Sequence, residues 1–197
     1  IEDESDETSS NDFGKNIIPK MLQNGEKMAA YRFSGYWKDV GTLDSLWDAN
    51  MDMLATGSGL DLLEKDWPIY GRPSSAPPAY LGKNAHVEHS VVARGCTVEG
   101  EAENSVLSER CTLEEGASVQ YSLLMPGAVI RRGAQVSYAI IGENAVVEAN
   151  ARVGQPPEAV KPEDWGITVL GPDAAVAENY VLAAKRMRSA DGKETVR

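Results

Sequence analysis

Aliphatic residues recur every five or six positions from residue 81 to residue 153, and this pattern restricts the fold more than any other feature of the sequence. Each complete set of three advances by 17 residues, apart from a shortening by two between Val92 and Leu107. Four segments align on it: "SVVARGCTV" from Ser90, "SVLSERCTL" from Ser105, "SLLMPGAVI" from Ser122 and "AIIGENAVV" from Ala139. The aliphatic positions are Leu81, Val87, Val92, Val98, Leu107, Leu113, Val119, Leu124, Ile130, Val136, Ile141, Val147 and Val153. This period fits neither an amphipathic helix nor a half-buried strand, so it indicates a solenoid.

A step of about six residues suits a triangular coil, in which each short strand forms one side and the chain turns at each corner. Gly95, Gly127, Gly133 and Asn144 fall just before the expected corners, where a positive φ is easiest for Gly and Asn. The sequence therefore predicts a mainly β chain built on a left-handed parallel β-helix. Small residues that fit near an inner corner follow many of the aliphatics by four positions: Ala85, Cys96, Ala102, Cys111, Ala117, Ala128, Ala134, Ala145 and Ala151.

The coil is expected to continue to the end of the chain. "GQPPEAVKPEDWG" reads as a loop that interrupts it, and Leu170, Ala174, Val176 and Val181 restore its spacing for a last coil. The segment "AAKRMR" is predicted to cap that coil as a short helix.

The first eighty residues lack the repeat. Alternation in "EKMAAYRFSGYW" predicts a strand, and apolar residues at helical spacing between Leu43 and Leu54 predict a helix. Residues 67–80 are rich in Pro, Gly and Ser and predict an extended connector. We therefore divide the chain into residues 1–66, a connector at 67–80, and the β-helix at 81–197.

The segment "GYWKDVGT", Gly35 to Thr42, joins the predicted strand to the predicted helix. Its aromatic faces and its carboxylate, set between glycines, could form the rim of a sugar site. It could equally be an ordinary turn into a helix, because Thr42 and Asp44 are good N-cap residues. The residues by themselves leave both readings open.

Charge and hydropathy exclude some classes of partner. The net charge of −11 leaves no basic footprint for nucleic acid or for an anionic membrane surface, although a small anion needs only a local basic cluster. No apolar run approaches the roughly 18 residues that span a bilayer. We expect a cytoplasmic protein, and the acidic, Ser-rich start at Ile1 suggests a piece of a longer chain.

Four residues with reactive side chains have simpler structural interpretations. Cys96 and Cys111 occupy the small inner-corner position in consecutive coils, so we expect stacked, buried thiols. His86 and His89 lie in the first coil, and we expect them to face solvent rather than to act as the general base of a hexapeptide acyltransferase.

Two basic clusters are candidate anion sites. Arg131 and Arg132 follow Ile130 at a corner and could bind a phosphate or a neighbouring subunit. The alternative is an exposed corner without a partner. Lys185, Arg186 and Arg188 form a second basic cluster, for which the same two interpretations apply.

The order of these parts resembles bacterial glucose-1-phosphate adenylyltransferase, the ADP-glucose pyrophosphorylase family. The resemblance rests on "SSNDFGKNIIPKML", "YRFSGYWKDVGTLDSLWDANMDML", "DWPIY", "PPAYLG" and the hexapeptide coils, and it corresponds to the C-terminal half of that enzyme. It implies that residues 1–66 are the remnant of an α/β nucleotidyltransferase domain. It also implies an enzyme of glycogen synthesis that joins ATP and α-glucose 1-phosphate to give ADP-glucose and pyrophosphate, using Mg²⁺.

The resemblance assigns roles to three residues. The aspartate of the "DFGK" motif contacts glucose in the family, which corresponds to Asp12. The tryptophan and aspartate of "YWKDVGT" line the sugar-phosphate site, which corresponds to Trp37 and Asp39. Asp39 would also hold the metal and is the catalytic residue that we expect, because a carboxylate suits a hard Mg²⁺ ion that bridges phosphate oxygens.

The family's Gly-rich "GGG-x-GTRL" loop and its "EKP" lysine do not occur in this sequence. The resemblance therefore implies a fragment that is inactive alone. It also implies a homo-oligomer joined through the β-helix, since the family forms tetramers in that way. A small anionic allosteric effector is implied as well, and Arg131 and Arg132 are candidate effector or interface residues.

Three alternatives stay open. One is a non-catalytic regulatory paralogue, and another is a sugar-1-phosphate nucleotidyltransferase that uses another NTP. The least favoured is a hexapeptide acyltransferase.

Overall fold

The computed structural model describes residues 3–55, 57–60, 62, 64–66, 68–71 and 73–197. The chain divides into two compact units, Ile1–Gly35 and Tyr36–Arg197. The structure thus keeps residues 36–66 in one unit with the coils, whereas the sequence grouped them with residues 1–35. The division into a catalytic remnant, a connector and an assembly domain concerns function and stays a prediction. Trp67, the first residue of the predicted connector, lies outside the described residues.

The first unit holds a short helical segment. A π-helical turn, Phe13–Ile17, leads directly into α1, Ile18–Gln23. The predicted strand over residues 26–37 is wrong: this stretch carries no regular secondary structure, and Tyr31 is 90% exposed. Among the described residues no strand pairs with it, and an extended segment without a neighbour lacks the ladder of hydrogen bonds that defines a strand.

The second unit opens with the predicted helix, which is confirmed. Helix α2 spans Leu43–Asp52, and Thr42 and Ser45 form a reciprocal capping box at its start. Nowhere in the described part of the chain does a helix have the length and apolar character needed to cross a membrane.

From Tyr80 onward this unit is a parallel β-helix, so the predicted fold class is confirmed. The strands are β1 Tyr80–Leu81, β2 His86–Glu88, β3 Val91–Val92, β4 Thr97–Val98, β5 Glu101–Glu103, β6 Val106–Leu107, β7 Thr112–Leu113, β8 Ser118–Gln120, β9 Leu123–Leu124, β10 Val129–Ile130, β11 Gln135–Ser137, β12 Ala139–Ile141, β13 Val146–Val147, β14 Arg152–Val153, β15 Thr168–Leu170, β16 Ala175–Val176, β17 Val181–Leu182, β18 Arg186–Arg188 and β19 Glu194–Val196. They form three sheets, in the orders β1-β4-β7-β10-β13-β16, β17-β14-β11-β8-β5-β2 and β19-β18-β15-β12-β9-β6-β3, in which neighbours are parallel except for β18 and β19. Two 3₁₀ turns, Pro157–Ala159 and Pro162–Asp164, lie in the predicted loop.

The predicted aliphatic columns form the core, with two corrections at the C-terminal end. Val153 pairs in register with Leu182, which is buried, whereas the predicted Val181 is 52% exposed. "AAKRMR" does not form a helix: its last residues form β18, which pairs with β15 and, antiparallel, with β19. Arg188 lies in register with the buried Leu170, so a charged residue follows the aliphatic column at its C-terminal end, and its Nη1 lies 2.6 Å from Glu194 Oε1.

The shortening by two residues occurs at one corner. Two residues separate β4 from β5, whereas four separate β7 from β8. Ala102 therefore lies in a strand, in register with Val87 and Val119, rather than at the corner position that the sequence predicted. Gly100 lies at the corner instead. A larger residue would not fit there, because a Cβ would overlap the carbonyl oxygen of Ala117.

We expect Gly100→Ala to destabilise the coil by about 1–3 kcal/mol, because the new methyl group meets backbone atoms that cannot rotate away. Urea unfolding of the chain measures the change. Gly71→Ala is the matched control, since a Cβ at Gly71 meets nothing within 4 Å. Equal midpoints for the two variants would contradict the tight corner.

A ladder of serine hydroxyls crosses one corner of successive coils. The Oγ of Ser90 accepts the N–H of Ser105 at 3.0 Å, that of Ser105 accepts the N–H of Ser122 at 3.1 Å, and that of Ser122 accepts the N–H of Ala139 at 3.1 Å. These are the first residues of the four aligned segments, so the repeat records a hydrogen-bonding position as well as a hydrophobic one.

Ser122→Ala should cost about 1–3 kcal/mol of stability, because it removes the acceptor for the N–H of Ala139 at a fully buried position. Ser118→Ala is the control, since Ser118 lies half-buried on the outer side of β8. The difference between their unfolding free energies in urea measures the ladder. A Ser122→Ala variant as stable as the control would show that the ladder contributes nothing.

Candidate functional site

The segment that joins residue 35 to α2 has two faces. Tyr36 and Lys38 are half-buried, whereas Trp37, Asp39 and Val40 are exposed. This alternation follows from an extended backbone, in which successive side chains point to opposite sides. One face of the segment is therefore turned toward α2 and the other toward solvent.

The inner face is held by an ionic cluster that we call the Lys38 clamp, formed by Tyr36, Lys38, Asp48 and Asp52. The Nζ of Lys38 lies 2.5 Å from Asp48 Oδ2 and 2.6 Å from Asp52 Oδ2. The hydroxyl of Tyr36 donates to the same Asp52 oxygen at 3.0 Å. Hydrogen bonds to Asp48 and Asp52 raise the pKa of Lys38, and the bond from Lys38 lowers the pKa of Asp52, so the Lys38 ammonium and the Asp52 carboxylate both stay charged at neutral pH.

The outer face presents the two residues that the sequence singled out. Trp37 is 76% exposed. The Oδ1 of Asp39 accepts the N–H of Gly41 at 2.9 Å, which fixes the carboxylate in the turn before α2. Within the described part of the chain, none of the ion pairs involves Asp39. This face can therefore offer a carboxylate to a cation and a flat indole to a sugar ring.

Helix α2 is fixed to the coil on its opposite side. Its apolar residues, among them Leu43, Leu46, Trp47 and Met51, pack against the outer face of the third sheet. That face is formed by Val106, Leu123, Ile140 and Val169, all nearly fully buried. The segment that carries Trp37 and Asp39 is thus attached to a rigid scaffold.

Aromatic and ionic contacts strengthen this attachment. Trp47 Nε1–H donates to the carbonyl oxygen of Tyr121 at 2.8 Å, and the Trp47 ring lies 6.1 Å from that of Tyr138. At the helix start, Arg197 Nη2 lies 2.8 Å from Asp44 Oδ2. The coil therefore contacts α2 at its first turn and along its apolar side.

Sequence reasoning missed this attachment, although the repeat carries a signal for it. In β3, β6, β9 and β12 of the third sheet two adjacent residues are aliphatic, "VV", "VL", "LL" and "II", whereas the middle residues of β2, β5, β8 and β11 in the second sheet are flanked by polar ones. An aliphatic residue that points out of a coil needs a cover, and α2 supplies it.

Asp12, the third residue that the resemblance assigns to the site, lies in the first unit. Its Oδ1 accepts the N–H of Lys15 at 2.7 Å, which caps the π-helical turn, and the residue is exposed.

Arg131 and Arg132 each form an ion pair within the coil, and neither their predicted role at an anion or subunit contact nor the alternative of an unused corner is tested by these pairs. Arg131 Nη1 lies 2.6 Å from Glu114 Oε1, and Arg132 Nη2 lies 3.2 Å from Glu115 Oε2. The bond from Arg131 holds the pKa of the Glu114 carboxyl below its usual range. Both arginines remain largely exposed, so each can still contact an anion from outside the coil.

The other reactive side chains lie away from this segment or have structural roles. Cys96 and Cys111 are buried free thiols, as predicted, and contact with Cys96 together with burial raises the pKa of the Cys111 thiol. His86 and His89 are exposed, also as predicted, and His89 bridges Leu54 and Asn104. No cluster of three or more His, Cys, Asp or Glu side chains suited to a metal occurs in the described part of the chain.

Two segments of the chain match known family models, and much of the chain resembles curated bacterial enzymes. Residues 1–56 match the family model described as nucleotidyl transferase, and residues 77–170 match the one described as GlmU-like, C-terminal hexapeptide. Curated relatives named glucose-1-phosphate adenylyltransferase include one from Clostridium perfringens (strain 13 / Type A), 50% identical over 125 residues or 64% of this chain. Others come from Bacillus cereus (strain Q1), 50% identical over 120 residues (61% of this chain), and Clostridium beijerinckii, 52% identical over 122 residues (62% of this chain). The match covers 32% of each relative, so the chain spans about a third of their length.

Proposed function

We propose that this chain, a homologue of the curated bacterial glucose-1-phosphate adenylyltransferases, is the sugar-side and assembly portion of an enzyme with that activity. Such an enzyme joins ATP and α-glucose 1-phosphate to give ADP-glucose and pyrophosphate, the reaction that supplies glycogen synthesis. The outward-facing pair Trp37 and Asp39, on a segment fixed to α2, supports this proposal most strongly.

Asp39 is proposed as the residue that holds Mg²⁺. Its carboxylate is exposed and one of its oxygens is fixed by Gly41, which suits an ion that takes one or two carboxylates and completes its shell with substrate phosphates. When bound, Mg²⁺ would neutralise charge on the phosphate oxygens while the α-phosphate of ATP is attacked. Asp39 itself contributes a negative charge at a defined place, which is its catalytic role in this proposal.

Trp37 of the second unit and Asp12 of the first are proposed, each separately, as sugar-binding residues. The exposed indole of Trp37 offers an apolar face to a pyranose ring and an N–H to one of its hydroxyls. The carboxylate of Asp12, which already accepts one backbone N–H, has a second oxygen available for a glucose hydroxyl.

The β-helix is proposed to assemble the enzyme as a homo-oligomer. Arg131 and Arg132 stand at an exposed corner and pair with Glu114 and Glu115 of the previous coil. An acidic side chain of another subunit, or a small anionic effector, would compete with these glutamates for the guanidinium groups.

Pyrophosphate release from ATP and glucose 1-phosphate in the presence of Mg²⁺ tests the proposal. It should be measured with the 197-residue chain and, in parallel, with the full-length product of the gene. Activity of the full-length product alone is the expected result. Absence of activity in both would overturn the proposal in favour of a non-catalytic regulatory paralogue, and a preference for GTP, UTP or CTP would favour another sugar-1-phosphate nucleotidyltransferase.

A further inference from the structure

The Lys38 clamp has a feature that the stability of α2 does not explain. Asp48 and Asp52 are four residues apart on the helix, so their carboxylates lie on one side, where like charges repel. Both also lie in the C-terminal half of α2, where the helix dipole disfavours negative charge, and the last turn contains no basic residue. The helix by itself would be more stable without this pair.

Lys38 makes the arrangement favourable, because its ammonium lies between the two carboxylates and contacts both. Its side chain is 24% exposed, compared with 57% for Asp48 and 26% for Asp52. Tyr36 adds a neutral donor to the same Asp52 oxygen. The two acidic residues thus act as a receptor for residues 36 and 38 rather than as part of the helix's own stabilisation.

We propose that Lys38, held by Asp48 and Asp52, is a positioning residue that keeps Trp37 and Asp39 on the outward face of residues 36–41. This inference rests on the proposed function, because it assigns the clamp to the sugar-phosphate and metal site of that reaction. The mechanism is simple: Lys38 lies between Trp37 and Asp39, so anchoring its side chain to α2 fixes the orientation of both neighbours.

The platform beneath the clamp is rigid. The apolar side of α2 covers the third sheet, and Trp47 Nε1–H donates to the Tyr121 carbonyl oxygen. The clamp and the capping box at Thr42 hold the segment at two points, on either side of Asp39. Between them, the Asp39 carboxylate is tied to Gly41, so little freedom remains at the metal-binding position.

The test uses the full-length gene product with Lys38→Met, which removes the charge and keeps most of the length. Lys38→Arg is the conservative rescue, and Lys193→Met is the matched control because Lys193 pairs with Asp191 at 2.9 Å in a C-terminal turn. We expect Lys38→Met to raise the KM for glucose 1-phosphate and the Mg²⁺ concentration for half-maximal rate, each by about tenfold or more. Lys38→Arg should stay close to wild type, and Lys193→Met should change neither value.

Two further measurements separate positioning from general destabilisation. The double variant Lys38→Met with Asp52→Asn should raise the KM for glucose 1-phosphate no more than the more damaging of the two single changes, because both changes remove the same interaction. Hydrogen exchange in the 197-residue chain should accelerate at residues 36–41 in Lys38→Met and stay unchanged in the strands of the coil.

The outcomes distinguish this inference from the proposed function. If the full-length wild type makes no ADP-glucose, the proposed function is overturned, and the positioning role falls with it. Faster exchange at residues 36–41 in the Lys38→Met chain would in that case still show that the clamp anchors this segment. An active wild type whose Lys38→Met variant behaves like Lys193→Met would overturn the positioning role alone. Acceleration throughout the coil would also overturn it, since the residue would then act on overall stability.

Discussion

Replacing Asp39 by asparagine in the full-length gene product is expected to lower the maximal rate of pyrophosphate release by roughly a hundredfold to a thousandfold. Asparagine keeps the oxygen that accepts the Gly41 N–H, so the turn before α2 survives the change. It removes the negative charge on which the proposed Mg²⁺ site depends. The variant should therefore fold normally, with an unaltered melting temperature, and lose activity because the ion is held poorly.

The control for this experiment is Asp191→Asn, which removes a carboxylate paired with Lys193 in the C-terminal turn. We expect it to retain full activity. The rate of each variant should be followed as Mg²⁺ is raised to saturation. Wild-type rates for Asp39→Asn at saturating Mg²⁺, together with an unchanged Mg²⁺ concentration for half-maximal rate, would show that Asp39 neither holds the metal nor takes part in the reaction.

The largest change in stability is expected for Leu124→Ala, at about 2–5 kcal/mol. Leu124 is fully buried in β9, where it lies in register between Leu107 and Ile141. Truncation there leaves a cavity in the middle of a column, and the parallel strands on either side are held in register by their own hydrogen bonds. The coil can therefore collapse only partly onto the empty space.

Leu81→Ala is the control, because Leu81 lies at the first coil and is 53% exposed. Its truncation should cost much less in the same urea titration. Similar losses for the two variants would mean that burial along the columns does not determine the stability of the coil.

The columns could be predicted from the sequence because each hexapeptide step repeats one local environment. From β4 to β17 each strand of two or three residues places at least one apolar side chain inside the coil, so spacing alone identifies Leu124 or Ile130 as core residues. The prediction was wrong where the environment changes. Ala102 lies in a column rather than at a corner because the corner at Gly100 is two residues shorter, and Leu182 is buried in place of the predicted Val181.

The candidate site was predicted differently. Trp37 and Asp39 came from a resemblance in the motif, and the structure adds that both are exposed on one face of their segment. Tyr36 and Lys38 lie in the same motif but were given no role, since the resemblance assigns functions only to Trp37 and Asp39 within it. Their importance depends on Asp48 and Asp52, which lie 10 or more residues further along the chain.

By itself, then, the sequence determined the coil, its period and the residues that fill it, because those properties depend on neighbours at short, regular separations. Only the tertiary structure decided that α2 covers the third sheet and that Lys38 is held by two aspartates of that helix. Those contacts join residues far apart in the chain, such as Trp47 and Tyr121. Such contacts produce no repeating pattern in the sequence, because each pair of side chains meets only once. Which residues meet depends on how the whole unit packs.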